Sequence, residues 1–168
     1  DQTHPEILRV LRKSGRVTFS LSADDPTVAT AMAGKADVRA KRCVVMLPGL
    51  FRDKGKAHIT VVHAGRSEIY GNTGETLHFT HHPTRLFVEY TTPVQRPKGD
   101  AKRRSMVNAV SGGNLGDGDE RIPVSPLSTW TIGVPQNDPR KNTPMNLNAN
   151  CAGIERIELY FDGWASAL

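Results

Sequence analysis

The sequence predicts an all-β fold, an antiparallel β-sandwich of roughly seven to nine short strands, with room for a short helix near the N-terminus. Three observations point there. Several segments alternate strictly between apolar and polar residues. Gly- or Pro-containing turns recur about every ten residues. No strand–helix alternation is visible, which argues against a parallel α/β sheet. The chain has 168 residues, the size of a single domain spanning 1–168. It begins "DQTHPEILRV", with neither an initiator methionine nor a signal-peptide pattern, and reads as a fragment of a longer chain.

Taken in order, Ile7, Leu8, Val10 and Leu11 fit either one side of a short helix or a twisted strand, ended by Gly15. "RVTFSLS" then sets Val17, Phe19 and Leu21 on one face of a half-buried strand. Asp25-Pro26 starts a turn, and a short helix from Thr27 to Ala33 is expected after it. Strand signals follow in "VRAKRCVVML", in "KAHITVVHA" ending at Gly65, in a short "SEIYG", in "ETLHFTH" with Leu77 and Phe79 on one face, and in "TRLFVEYTT". "RSMVNAVSG", "STWTIGVP" and "IERIELYFDGWASA" complete the set, with Trp130, Ile132 and Val134 on one core-facing side. The Asn/Pro-rich stretch from Gln136 to Gly153 reads as a long surface loop.

Composition excludes several function classes. No run of about 18 apolar residues exists, so no membrane span is expected, and the partner expected is a protein, with no membrane contact by this domain itself. Net charge is +5, from 22 basic against 17 acidic residues, which suits an acidic partner without requiring nucleic acid. The densest basic stretch, Arg96 to Arg104, contains no aromatic residue for a base to stack on. The two cysteines, Cys43 and Cys151, are too few for a disulfide framework or an all-Cys zinc site. Cys43 sits in an apolar run and reads as a small buried hydrophobe, and whether the two pair stays open.

Candidate chemistry is thin. "SGGNLGDGDER" carries Asp117, Asp119 and Glu120, without the distal glutamate and flanking helices of an EF-hand or the Gly-Lys-Ser/Thr of a phosphate loop. It reads as a turn between strands. "HFTHH" offers His78 and His82 on one strand face, with His81 facing away, while His58 and His63 point opposite ways by parity. These five residues, Asp117, Asp119, Glu120, His78 and His82, are the weak candidates for a metal, and the expectation is that no metal or cofactor is held. There is no Gly-x-Ser-x-Gly elbow, and no carboxylate pair stands out, so nothing marks the chain as an enzyme.

Three segments in order resemble the C-terminal part of the A subunit of bacterial Tc (toxin complex) insecticidal toxins, the region that binds the TcB subunit. They are "LRKSGRVTFSLS" (Leu11 to Ser22), "VRAKRCVVMLPGLFRDKGKAHITVVHAGRSEIY" (Val38 to Tyr70), and "GDERIPVSPLSTWTIGVP" followed by "AGIERIELYFDGWASA". The order and spacing of these segments carry the resemblance. The family's aromatic Pro-Gly-His segment is replaced here by "DDPTVATAMAGKAD". The resemblance implies a docking module of a secreted or cell-surface toxin. Such a module caps a channel-forming, homo-oligomeric parent chain and binds the TcB-like β-propeller of the B–C cocoon component. Phe51, Tyr70, Tyr90 and Trp164 are the expected anchors, with Arg103 and Arg104 in the basic loop facing the partner. Two other classes compete with this reading: a carbohydrate- or receptor-binding sandwich using exposed aromatics, and a small metal-dependent enzyme built on "HFTHH".

Overall fold

A computed structural model describes residues 4–52, 55–71, 73–92, 124–138 and 140–168, with the side chains at 41, 42, 91 and 92 left out. The expected strand "RSMVNAVSG", the basic loop and the Gly/Asp-rich turn lie outside these residues. The described chain is antiparallel β-structure in two sheets, with two short helices and a 3-10 turn at Cys151–Gly153.

The ambiguous N-terminal pattern resolves as helix α1, Pro5–Ser14. Pro5 presets the first turn, Glu6 and the Arg12–Lys13 pair match the two ends of the helix dipole, and the Gly15 N–H closes the last turn on the Leu11 carbonyl at 2.8 Å. Leu8 and Leu11 face the core, and Arg12 donates from Nε to the Ile154 carbonyl at 2.6 Å. Strand β1 (Arg16–Ser20) follows at once. Helix α2 (Pro26–Met32) is capped by Asp25, whose Oδ1 accepts from the Thr27 and Val28 amides at 2.8 and 3.3 Å. None of its residues is buried.

The larger sheet contains β1, β3 (Gly55–Tyr70), β4 (Thr76–Thr80), β5 (Thr84–Thr92) and β6 (Ser128–Gly133). β1 pairs with β6 in the register Val17↔Ile132 and Phe19↔Trp130. β6 continues onto β3 through Val61↔Ile132 and His63↔Trp130. Thr60 to His63 pair with both β5 and β6, so those two strands lie on opposite edges of β3. Ser67 likewise pairs with both Phe79 and Ser128, which places β4 end to end with β5 on the same edge.

β3 is one 16-residue strand, where the sequence suggests two separated at Gly65. Gly65 does not stop it. The residue adopts φ +82°, and the His81 carbonyl sits where a Cβ would be, 2.2 Å away. A glycine inside a strand here lets a neighbouring backbone approach and marks an irregularity. The register with β6 slips between His63 and Ser67 at this point.

The second sheet is β2 (Lys35–Met46) paired with β7 (Glu158–Ala167), with bulges between Ala36 and Arg39 and between Ala40 and Arg42. Cys43 to Met46 are all buried, so this half of β2 is covered on both faces. The core lies between the sheets, around Trp130, Ile132, Ile59, Val61, Tyr90, Met46 and Leu11. Trp130 on β6 meets Phe161 on β7 with ring centroids 5.3 Å apart, and its Nε1 donates to the Pro126 carbonyl at 2.9 Å. Trp130, Ile132 and Val134 are buried together, as their alternation predicts.

The Asn/Pro-rich loop is more deeply engaged than a surface loop. Asn146 is buried and accepts from the His58 amide at 2.7 Å. Its Nδ2 donates to the His58 and Pro135 carbonyls, both at 2.7 Å. The His58 backbone lies beyond the end of the β6 pairing, and this side chain stands in for the missing strand.

Candidate docking surface and the buried histidine pair

Trp164 is the one expected anchor that is broadly exposed, at 51%. It lies in the outer half of β7, where every residue from Asp162 to Ala167 is exposed. It stands directly across from Arg39 of β2. Opposed residues of an antiparallel pair share a face, so the two side chains are neighbours. The Arg39 guanidinium in turn lies 5.4 Å from the centroid of the Phe79 ring of β4, and its Nε donates to Asp37 at 2.7 Å. Phe79 and Leu77, two residues apart on β4, are 40% and 45% exposed. Trp164, Arg39 and Phe79 therefore form a row crossing from the second sheet to the edge of the first, with Leu77 beside it. Large aromatics and arginine are the residues that dominate binding energy at protein interfaces. Arg39, Phe79 and Leu77 are not among the anchors expected from the sequence. Their juxtaposition depends on β2 meeting both β7 and β4, which no local pattern encodes.

Two expected anchors are corrected. Tyr90 and Phe51 are buried, at 1% and 9% exposure. Tyr90 falls on the core-facing side of β5, and its hydroxyl accepts from the Leu47 amide at 3.2 Å. Phe51 lies against Gly55, where an added Cβ would fall 2.2 Å from its ring. Neither offers surface to a partner. Tyr70 is half-buried and lines a cleft of about 200 Å³ with Met32, Val38 and Leu127. Arg103, Arg104, Asp117, Asp119 and Glu120 lie outside the described residues.

His58 and His63 lie on opposite faces of β3, as strand parity suggests, but the three histidines that follow do not obey it. β4 ends at Thr80, so His81 and His82 sit in the corner before β5 and obey no alternation with His78. His78 is exposed, 3.9 Å from the Glu68 carboxylate. His82 is exposed as well. His81, expected to face away, stacks on His63 with centroids 5.0 Å apart and planes 20° from parallel. His63 is fully buried and meets the edge of Trp130 at 4.9 Å. Its Nδ1 accepts from the Gly65 amide at 3.0 Å, which leaves Nε2 to donate to the Ser125 carbonyl at 3.2 Å. Both ring nitrogens are satisfied in the neutral form alone, and burial holds the His63 pKa below the ordinary imidazole value. His81 donates from Nδ1 to the His82 carbonyl at 2.8 Å, while its Nε2 is buried without a partner.

Among the described residues, no group of three or more His, Cys, Asp or Glu side chains is placed to hold a metal ion. Cys43 and Cys151 are both free thiols. No described helix is long and apolar enough to cross a membrane.

No family model, no curated protein and no solved structure matches the chain.

Proposed function

We propose that the chain is a protein-docking module of a bacterial toxin's translocation subunit, with no chemistry of its own. In this reading it holds a TcB-like β-propeller at the end of the B–C cocoon component and completes the holotoxin. The parent chain is a homo-oligomer, and the whole is secreted or carried on the cell surface. Two things support the reading. One is the resemblance in the order and spacing of the strand segments to the TcB-binding part of Tc toxin A subunits. The other is the row in which exposed Trp164 and Phe79 flank a half-buried Arg39, the observation that carries a docking role on physical grounds. A rigid aromatic–arginine row on paired strands loses little conformational entropy on binding, which favours a stable contact. The test is binding of the cognate B-type subunit to the wild-type chain and to Trp164→Ala.

One observation favours the glycan-binding alternative. Phe87 is 38% exposed and lies flat on His58, with centroids 5.1 Å apart and planes at 6°. A glycan array separates the two readings, since a docking module gives no reproducible hit.

A further inference from the structure

The His63–His81 pair plays no part in the docking surface, and its wiring has a consequence of its own. Gly65 ties the two rings together. Its N–H is held by His63 Nδ1 at 3.0 Å, and its carbonyl accepts the His81 backbone N–H at 2.7 Å. A proton on His63 Nδ1 would set N–H against N–H and expel the Gly65 amide. Moving Gly65 releases the His81 backbone, because this hydrogen bond and the close approach of the two backbones are what seat the corner on that glycine. A proton on the buried Nε2 of His81 would find no acceptor. A proton on each ring would set two like charges about 5.0 Å apart.

Little nearby offsets such charge. Among the described residues, His81 is the titratable group that bears on the His63 ring. On β6 the ring meets Trp130, and before β6 it meets the Ser125 carbonyl, neither of them titratable. On the second sheet, Cys43 lies opposite Phe161 and stays neutral, its thiol pushed up to about 12 by burial. Around the corner, Arg66 pairs in register with Thr80, and Arg85 with Val62. His82 adjoins His81, and Glu68 faces His78. All four are at least partly solvent-accessible, and three of them are cations or can become cations.

We propose that the stacked His63–His81 pair is an acid-sensitive latch: proton uptake releases the β4–β5 corner from Gly65 and loosens Trp130 at the junction of the two sheets, while the rest of the fold stands. Neutral His63 favours the closed corner above the ordinary imidazole pKa of about 6.5. That preference is lost as pH falls below this value toward and through the depressed value of the closed state. The opening constant then rises by up to about tenfold per pH unit for each proton taken up.

The experiment follows Trp130 emission in a Trp164→Phe background, where Trp130 is the sole tryptophan, from pH 7.5 to 4.5 with far-UV circular dichroism in parallel. The expected result is a reversible emission change below about pH 6.5 at constant dichroism. His81→Phe keeps a stacked ring without a titratable nitrogen and should make the change shallower or shift it. His82→Phe, on the exposed neighbour, should leave it unaltered. Flat emission overturns the latch. So does simultaneous loss of the dichroism, which would indicate general acid unfolding, or an equal effect from the two variants, which would indicate surface charge alone.

Discussion

The Trp130 ring of β6 rests against the Phe161 ring of β7 at 5.3 Å, tilted by 48°, and this contact joins the two sheets at the centre of the core. Phe161→Ala removes a partly buried ring and leaves a cavity against Trp130. The expected loss is about 3 kcal/mol, toward the low end for a phenylalanine truncated in a core. Phe161→Leu, which fills most of the space, should cost less than half of that. Urea denaturation followed by tryptophan emission measures both.

Asn146→Ala should be nearly as damaging, although the residue lies in a loop. The substitution strips partners from the His58 amide and from the His58 and Pro135 carbonyls together. Leaving buried backbone groups unpaired costs about 1–3 kcal/mol. Equilibrium unfolding of this variant beside Asn150→Ala, or another exposed substitution in the same loop, separates the buried clamp from general loop effects.

Gly65 and Gly74 form a matched pair for testing the crossing of β3 and the β4–β5 corner. Both have positive φ, +82° and +88°, but an added Cβ meets the His81 carbonyl at 2.2 Å in the first and open space in the second. Gly74→Ala should show backbone strain alone, of about 1–3 kcal/mol. Gly65→Ala should lower the melting temperature by clearly more, and the difference reports the close approach of the two backbones. Equal shifts would contradict the geometry.

These residues also mark the limit of what the sequence discloses. Alternation shows the faces of β1 and β6, because each strand has one buried side, and Val17, Ile132 and Val134 follow it. Gly65 reads as a strand end because glycine punctuates most strands. That it instead admits the His81 carbonyl depends on a corner 16 residues further along the chain. Asn146 looks like solvent-facing loop because its partner, His58, is remote in sequence. Tyr90 and Phe51 share the composition of interface anchors but lie on the inner side, and the row Trp164–Arg39–Phe79 exists through pairings between distant strands.

The two thiols should react at different rates. Cys151 is partly exposed, whereas Cys43 is 2% exposed with its pKa pushed up to about 12. Thiolate is the reactive form, so Cys43 is protected by both access and protonation. Titration with a disulfide reagent at pH 8 should modify one thiol in the native protein and the second only in denaturant. Cys151→Ser should abolish the native phase.

The docking account is tested most directly by binding kinetics of the cognate B-type propeller subunit at two ionic strengths, for the wild type, Trp164→Ala, and a variant with Lys102, Arg103 and Arg104 neutralised. Trp164→Ala should dissociate at least tenfold faster, with unchanged circular dichroism, because a central aromatic anchor contributes about 2 kcal/mol or more. The charge variant should associate more slowly and with weaker salt dependence, yet still form the complex, because screened rim charges act chiefly on the on-rate. Failure of the wild-type chain to bind any cognate B-type subunit, together with binding to glycans or nucleic acid, would contradict the account.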